Sequence, residues 1–234
     1  MTLLTRDAIE SGAYRKPFEA MPELWTPERI DASLAETLGA RPRGDGDVWV
    51  FAYGSLIWNP AIEFAARRVA HLAGWHRSFC LRVTVGRGCP DLPGRMLALE
   101  PGGETAGIAL RLHRERLEDE LRLVWRREMV LGSYLPTWAT VTFDDGARAD
   151  AIAFTADPRR AQYERDASVA TAAPLIAQAE GQLGSNADYL FRLHASLRGL
   201  GLDDPYVDAL HEAVGRRLAW VDVDADVGTA ALPD

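Results

Sequence analysis

The sequence predicts an α+β fold, a small mixed β-barrel with surrounding helices and a helical C-terminal part. Three observations lead there. Short β-rich runs alternate with glycine- and proline-rich turns between residues 48 and 155, one amphipathic helical pattern interrupts them, and the pattern turns helical after Asp157-Pro158. Strands grouped in mid-chain and helices grouped at the end make an α+β arrangement whose strands could close into a small barrel.

Taken in order, residues 1–45 read as an N-terminal extension with a short helix. Thr26 is placed to cap that helix, Pro27 occupies its first position, and Gly39 stops it after Leu38. The turn-rich "RPRGDGD" leads into a strand at 48–53. Further strands are expected at 67–75, 79–85, 96–99 and 107–112, with "GRGCPDLPGR" as a loop between the second and third of these. A helix follows at about 114–131; then 136–143 alternates as a strand, and Asp144-Asp145-Gly146 marks a hairpin into 149–154. Helices are expected near 159–168, 172–183, 186–199 and 203–219, with Asn186 and Asp203 as N-caps. The division is thus an extension (1–45), one domain (46–220, helical from about 158) and a C-terminal tail (221–234).

Composition narrows the function. The 234 residues are 47% hydrophobic, enough for a sizeable core, and the net charge of −8 with scarcely any lysine argues against a phosphate-binding surface for nucleic acid or an anionic membrane. No window approaches the roughly 20 apolar residues of a membrane span, and acidic residues stand where a signal peptide would be apolar. A cytoplasmic location is the expectation. Cys80 and Cys89 are too few for a disulfide framework and lack zinc-ligand spacing, so free thiols are expected. The five histidines are scattered, which gives no metal site, and no cofactor motif is present: the glycine-rich loop is neither GxGxxG nor a P-loop, and Ser55 is not in a Gly-x-Ser-x-Gly elbow.

One residue does not suit its surroundings. In "ERLEDELRLVWRREMVLG", at about 100° per residue from Leu117, Leu121 falls at about 40°, Val124 at about −20°, Trp125 at about 80° and Glu128 at about 20°. Glu128 therefore lies in the apolar stripe, while Glu118, Asp119 and Glu120 fall at its edge or outside it, where charge is cheaply solvated. A carboxylate in that stripe is costly to desolvate. Two readings are open: a structural ion pair with Arg68, Arg82 or Arg95, or a general acid or base whose pKa is set by burial.

The segments "VFAYGSLIWNP", "RRVAHLAGWHRSF", "GRGCPDLPGRMLALEPGG", "LVWRREMVLGSYLPTW" and "GSNADYLFRLHASLRGLGLDDPYV" together resemble the ChaC family of γ-glutamylcyclotransferases that act on glutathione, from about residue 48 to 218. The resemblance implies a small β-barrel packed with helices. It implies that Tyr53, Gly54, Ser55 and Leu56 form a loop holding the γ-glutamyl group, largely through backbone N–H groups, and that Glu128 is catalytic, the residue the helical stripe singles out independently.

The implied reaction is cofactor-free: the substrate's α-amine attacks its own γ-amide carbonyl, closing 5-oxoproline and releasing Cys-Gly, with Glu128 as base and then acid. Gly54 would let the substrate approach the backbone, or it is a turn glycine; the Tyr53 hydroxyl either meets the substrate or packs beneath the loop. Tyr134 and Tyr189 are expected in the pocket wall. Arg82, Arg87 and Arg95 are all candidates for the glycyl carboxylate of glutathione, since a guanidinium fork matches a carboxylate. Other γ-glutamyl peptides or amines as substrates, or a non-catalytic γ-glutamyl-binding module, are the competing readings. The sequence assigns no oligomeric state.

Overall fold

The computed structural model describes residues 4–42 and 46–227, with side chains up to 219. Residues 43–45 of the expected connector and 228–234 of the expected tail lie outside the described residues. Helices α1 (Arg6–Glu10) and α2 (Pro27–Gly39) precede strand β1 (Trp49–Ala52). Thr26 caps α2 as expected, its hydroxyl accepting from the Arg29 N–H.

Two strands then run much longer than the sequence suggests. Strand β2 (Ala66–Val83) and strand β3 (Gly94–Arg111) each join two of the expected short strands into one, pairing antiparallel from Ala66 opposite Arg111 to Val83 opposite Gly94. The apparent breakers, Gly74 in one and Pro101 with its following glycines in the other, sit at or beside a register shift between Ala73 and Trp75, and a second shift falls between Ser78 and Leu81. Bulges absorb the extra residues and bend the ribbon without ending it, which is what wraps the sheet.

Helix α3 (Leu117–Glu128) follows a short 3-10 turn, and strands β4 (Tyr134–Phe143) and β5 (Arg148–Ala156) form the expected hairpin. The order β1-β3-β2-β4-β5 closes into a barrel through parallel pairing of Trp49 and Val50 with Ala151 and Ile152. Phe51, Leu72, Leu99, Leu110 and Phe154 are all buried in the core around these strands, and Trp125 of α3 packs edge-on against Phe154 at 5.2 Å.

Residues 159–168 are not helical. Asp157 turns the chain instead, its carboxylate accepting from the backbone and side chain of Arg159, and the segment then lies along the edge of β2: Arg82 N–H donates to Gln162 O at 2.7 Å and Glu164 N–H to Cys80 O at 2.8 Å. Helix α4 (Val169–Gln178) is shorter than expected because a small ladder of β6 (Glu180–Gly181) and β7 (Gly184–Ser185) takes its last turn. Helices α5 (Asn186–Gly199) and α6 (Pro205–Val227) follow, α6 running through the start of the expected tail.

The caps of the last two helices also differ by one residue from expectation. Ser185 caps α5, which frees Asn186 to accept from Arg95 N–H at 2.7 Å and donate to Arg95 O at 2.8 Å, clamping α5 to β3. Asp204 accepts from the N–H groups of Tyr206 and Val207 at the start of α6, while Asp203 pairs with Arg198.

The N-terminal residues pack on the barrel domain. Arg6 forks onto the carboxylate of Glu120 at 2.8 and 3.0 Å, and Trp25 N–H donates to Val130 O at 3.0 Å. Gly132, at φ +60°, admits the Trp25 indole where any side chain would collide with it. Glu120, read from the sequence as solvated, is fully buried: Arg6, 114 residues away, and the Glu63 N–H at 2.9 Å satisfy it. No helix among the described residues is long and apolar enough to cross a membrane.

Candidate active site

Strand β1 ends at Ala52 because the next peptide is taken by a buried arginine. Arg77 of β2 donates its Nε–H to Tyr53 O at 2.8 Å, one Nη to Ala106 O at 2.6 Å and the other to Asp204 at 2.9 Å. With Tyr53 held, the chain turns through Gly54 into the 3-10 turn Ser55–Ile57, closed by Ile57 N–H on Gly54 O at 2.9 Å. The N–H groups opening such a turn have no partner inside it. Gly54 is required here by close approach: a Cβ would stand 2.8 Å from Tyr189 Oη and 3.3 Å from Leu97 Cδ2.

Glu128 is the last residue of α3 and reaches the cavity in front of this turn. Only 15% of its side chain is exposed, and Oε1 has no hydrogen-bond partner among the described residues. Its neighbour Arg127 brings Nε to 3.0 Å of Oε1, an ion pair not aligned as a hydrogen bond. Burial pushes the Glu128 carboxyl above the ordinary carboxylate range and the Arg127 charge opposes that shift. The negative end of the α3 dipole works in the same direction as burial.

The partner of Glu128 is thus not one of the three arginines named from sequence. Arg68 pairs with Asp145 at 2.7 Å on the exposed hairpin, and Arg82 and Arg95 each pair with Glu164 at 3.4 Å. Arg127 also donates Nη2–H to Ser55 Oγ at 2.8 Å and Nη1–H to Asn59 O. Consecutive helical residues point about 100° apart, so helical spacing gives no reason to pair 127 with 128. The contact arises at the last turn, where the helix ends against the loop after β1.

Four tyrosines surround the carboxylate. The Tyr53 hydroxyl donates to Phe154 O, and Tyr134 donates to Leu97 O at 3.0 Å. Tyr14, from the N-terminal segment, donates to Arg127 O at 3.4 Å. Tyr189 lies edge-on to Trp58 at 5.4 Å. Burial raises all four phenols and the nearby Glu128 charge adds to it, with Tyr134 and Tyr53 well above their ordinary value. Tyr189 is pushed up to about 12, against the lowering effect of Arg127 and of the Ser55 backbone N–H. At neutral pH the ring of hydroxyls is un-ionised, so Glu128 is the group in it that can change charge.

One cavity gathers Tyr53, Gly54, Ser55, Leu56, Arg82, Arg87, Glu128, Tyr134 and Tyr189. Arg95 does not line it; its side chain is 7% exposed and turned to Glu164. Arg87 lines the cavity but is committed to Ser185 O and Asp188, both at 2.8 Å. Sequence reasoning missed Arg127 and Arg77, and also the wall contributed by Leu4, Tyr14, Phe18, Met21 and Glu23. The i, i+4 spacing of Tyr14 and Phe18 in an otherwise polar stretch was an available signal for that wall. No group of three or more potential metal ligands occurs among the described residues, and burial, with the Glu100 charge, raises the Cys80 thiol to about 12.

A closed mixed barrel with covering helices and a carboxylate set against the loop after its first strand defines a γ-glutamylcyclotransferase-like fold. A crystal structure described as a γ-glutamyl cyclotransferase specific to glutathione from yeast superposes with a TM-score of 0.65 at 21% identity, covering 74% of this chain and 97% of that one. Residues 48–217 match the model of the ChaC-like protein family, and the chain belongs to that family. It is 50% identical over 219 residues to the "Glutathione-specific gamma-glutamylcyclotransferase" of Escherichia coli K12, covering 93% of this chain and 94% of that protein. It is 34% identical over 188 residues to the human "Glutathione-specific gamma-glutamylcyclotransferase 1", covering 76% and 84% respectively.

Proposed function

We propose that this chain is a glutathione-specific γ-glutamylcyclotransferase. The observation that carries the reading is Glu128, a carboxylate with an unbonded buried oxygen and a raised pKa, in one cavity with the Gly54 turn. The 50% identity to the Escherichia coli protein of that name supports the choice of substrate.

The chemistry follows from the substrate. Glu128 takes a proton from the α-ammonium; the freed amine nitrogen bonds to the γ-carbonyl carbon; Glu128 gives its proton to the cysteine nitrogen as the bond from that carbon to it breaks. The second proton of the ring nitrogen then passes to the released amino group, so that two protons in all move from the α-nitrogen to Cys-Gly. The products are 5-oxoproline and Cys-Gly. No electrons enter or leave, and nucleophile and electrophile belong to one molecule, so holding the folded conformer supplies much of the acceleration. Proton transfer by a positioned carboxylate adds about 10²–10⁴-fold, and a carboxylate with a raised pKa is the stronger base once ionised.

In this reading the backbone N–H groups at Gly54, Ser55 and Leu56 receive the substrate's α-carboxylate and the developing oxyanion, the Ser55 N–H turning from the Tyr189 hydroxyl to do so. Arg127 holds the turn and the base in register. Of the three arginines considered for the glycyl carboxylate, Arg82 fits best: it lines the cavity, is 48% exposed, and among the described residues its side chain is held by a long, 3.4 Å pair with Glu164.

Incubation of the folded protein with glutathione, followed by chromatography, is expected to give 5-oxoproline and Cys-Gly in equal amounts. Absence of 5-oxoproline from glutathione and from every other γ-glutamyl compound overturns the proposal.

A further inference from the structure

Three atoms on the cavity wall are buried polar groups with no hydrogen-bond partner among the described residues: Glu128 Oε1, Glu23 Oε2 and Gln162 Nε2. Buried polar atoms are rarely left unpaired, because each forfeits its bonds to water. The proposed reaction explains the first and leaves the other two, one an acceptor and one a donor.

Those two are carried by segments that touch. Glu23 is two residues before Trp25, and the Arg160 guanidinium lies 5.4 Å from the Trp25 ring, which brings the turn carrying Gln162 against the 23–25 segment. The backbone of Gln162 is bonded to Arg82, whose N–H donates to Gln162 O at 2.7 Å. Gln162 is thus bonded through its backbone to Arg82, the residue at the end where the departing part of the substrate would lie, and Glu23, Gln162 and Arg82 all line the one cavity.

We infer that Glu23 and Gln162 are specificity-determining residues that recognise the cysteinyl-glycine peptide group, Glu23 Oε2 accepting from its N–H and Gln162 Nε2 donating to its C=O. The inference rests on the proposed function and deepens it. A peptide group offers one donor and one acceptor, the complement of this pair. A γ-glutamyl amino acid has no second peptide group and would leave both protein atoms unpaired, the situation in which polar sites discriminate most strongly. Glu23 lies outside the 48–217 family match, so the N-terminal segment supplies half of this contact.

The test compares kcat/KM of the full chain and of Glu23→Leu, Gln162→Met and Glu23→Gln on glutathione and on γ-glutamylcysteine, which lacks the glycyl peptide. Glu23→Leu and Gln162→Met are each expected to lose about tenfold on glutathione, the scale of one buried hydrogen bond to a polar or charged group, and less than about twofold on γ-glutamylcysteine. Glu23→Gln keeps an acceptor oxygen and should retain most of the glutathione rate. Equal losses on both substrates, or no loss on glutathione, overturn the inference. Thermal melting checks folding, and if one variant fails to fold the other decides. Failure of the unmodified chain on both substrates overturns the proposed function and this inference together; turnover with an unaltered substrate ratio in the variants overturns only the inference.

Discussion

Arg127 Nη2–H donates to Ser55 Oγ at 2.8 Å while Nε of the same side chain stands 3.0 Å from Glu128 Oε1. One guanidinium thus spans the loop after β1 and the end of α3. Loop and base have a common reference, and a shift of either is felt by the other.

Replacing Glu128 with glutamine removes the base and keeps the shape. Turnover is expected to fall by at least about a hundredfold with glutathione binding still measurable by calorimetry. Stability should move the other way. Because burial raises the folded pKa of this carboxyl, the ionised form penalises folding at neutral pH. Glu128→Gln should therefore melt higher than the parent at pH 7, and the gain should fade as pH falls toward the ordinary carboxylate range, where the parent also becomes neutral.

Activity requires the ionised carboxylate, so the acid limb of kcat/KM should lie above the ordinary carboxylate value. Arg127 opposes the raising effect of burial. Arg127→Met should move the limb upward by about one unit or more, the effect of losing an opposite charge in contact. Arg127→Lys keeps the charge and should leave the limb nearer its original place, while losing rate because it lacks the fork that reaches Ser55 and Asn59. An unmoved limb in Arg127→Met would remove Arg127 from the electrostatics of the base.

A methyl group at Gly54 would meet Tyr189 Oη at 2.8 Å. The phenol is rigid and buried, and overpacking of this kind costs about 1–3 kcal/mol. Gly54→Ala should lower kcat/KM for glutathione by about tenfold or more, with thermal stability also reduced. Removing the hydroxyl in Gly54→Ala/Tyr189→Phe should restore part of both, a rescue measured against Tyr189→Phe alone.

The buried Glu120 depends on Arg6. Arg6→Ala is expected to cost about 2–3 kcal/mol, since one partner of a buried pair is lost while Arg116 remains 3.5 Å away. Burial alone would raise the Glu120 pKa, but the bonds from Arg6 and the Glu63 N–H outweigh it, and the carboxyl stands below its usual 4.5. The stability it contributes is present above that value and is lost as pH falls through the lower, folded one. The melting difference between parent and variant should shrink correspondingly in acid.

Legibility in the sequence followed the range of the interaction. Thr26, the hairpin at Asp144-Asp145-Gly146 and the helix carrying Glu128 were readable because capping, turn chemistry and a 3.6-residue period act between near neighbours. The unity of β2 and of β3 was not, because glycine and proline look alike whether they end a strand or sit in a bulge. The turn at 159–168 was likewise hidden, since its backbone bonds go to Cys80 and Arg82 on β2.

The amino-acid sequence by itself placed Glu128 on an apolar stripe, interrupted the first strand at Gly54, and carried the motifs of the family. It did so because periodicity and local backbone restriction are written into adjacent residues. Only the tertiary structure decided that Glu128 answers to Arg127, that Gly54 makes room for Tyr189, that Arg82 and not Arg95 faces the cavity, and that Glu120 is buried rather than solvated. Charge pairing and close packing depend on distances between groups such as Ser55 and Arg127, 72 residues apart, and those distances exist only once the barrel has closed.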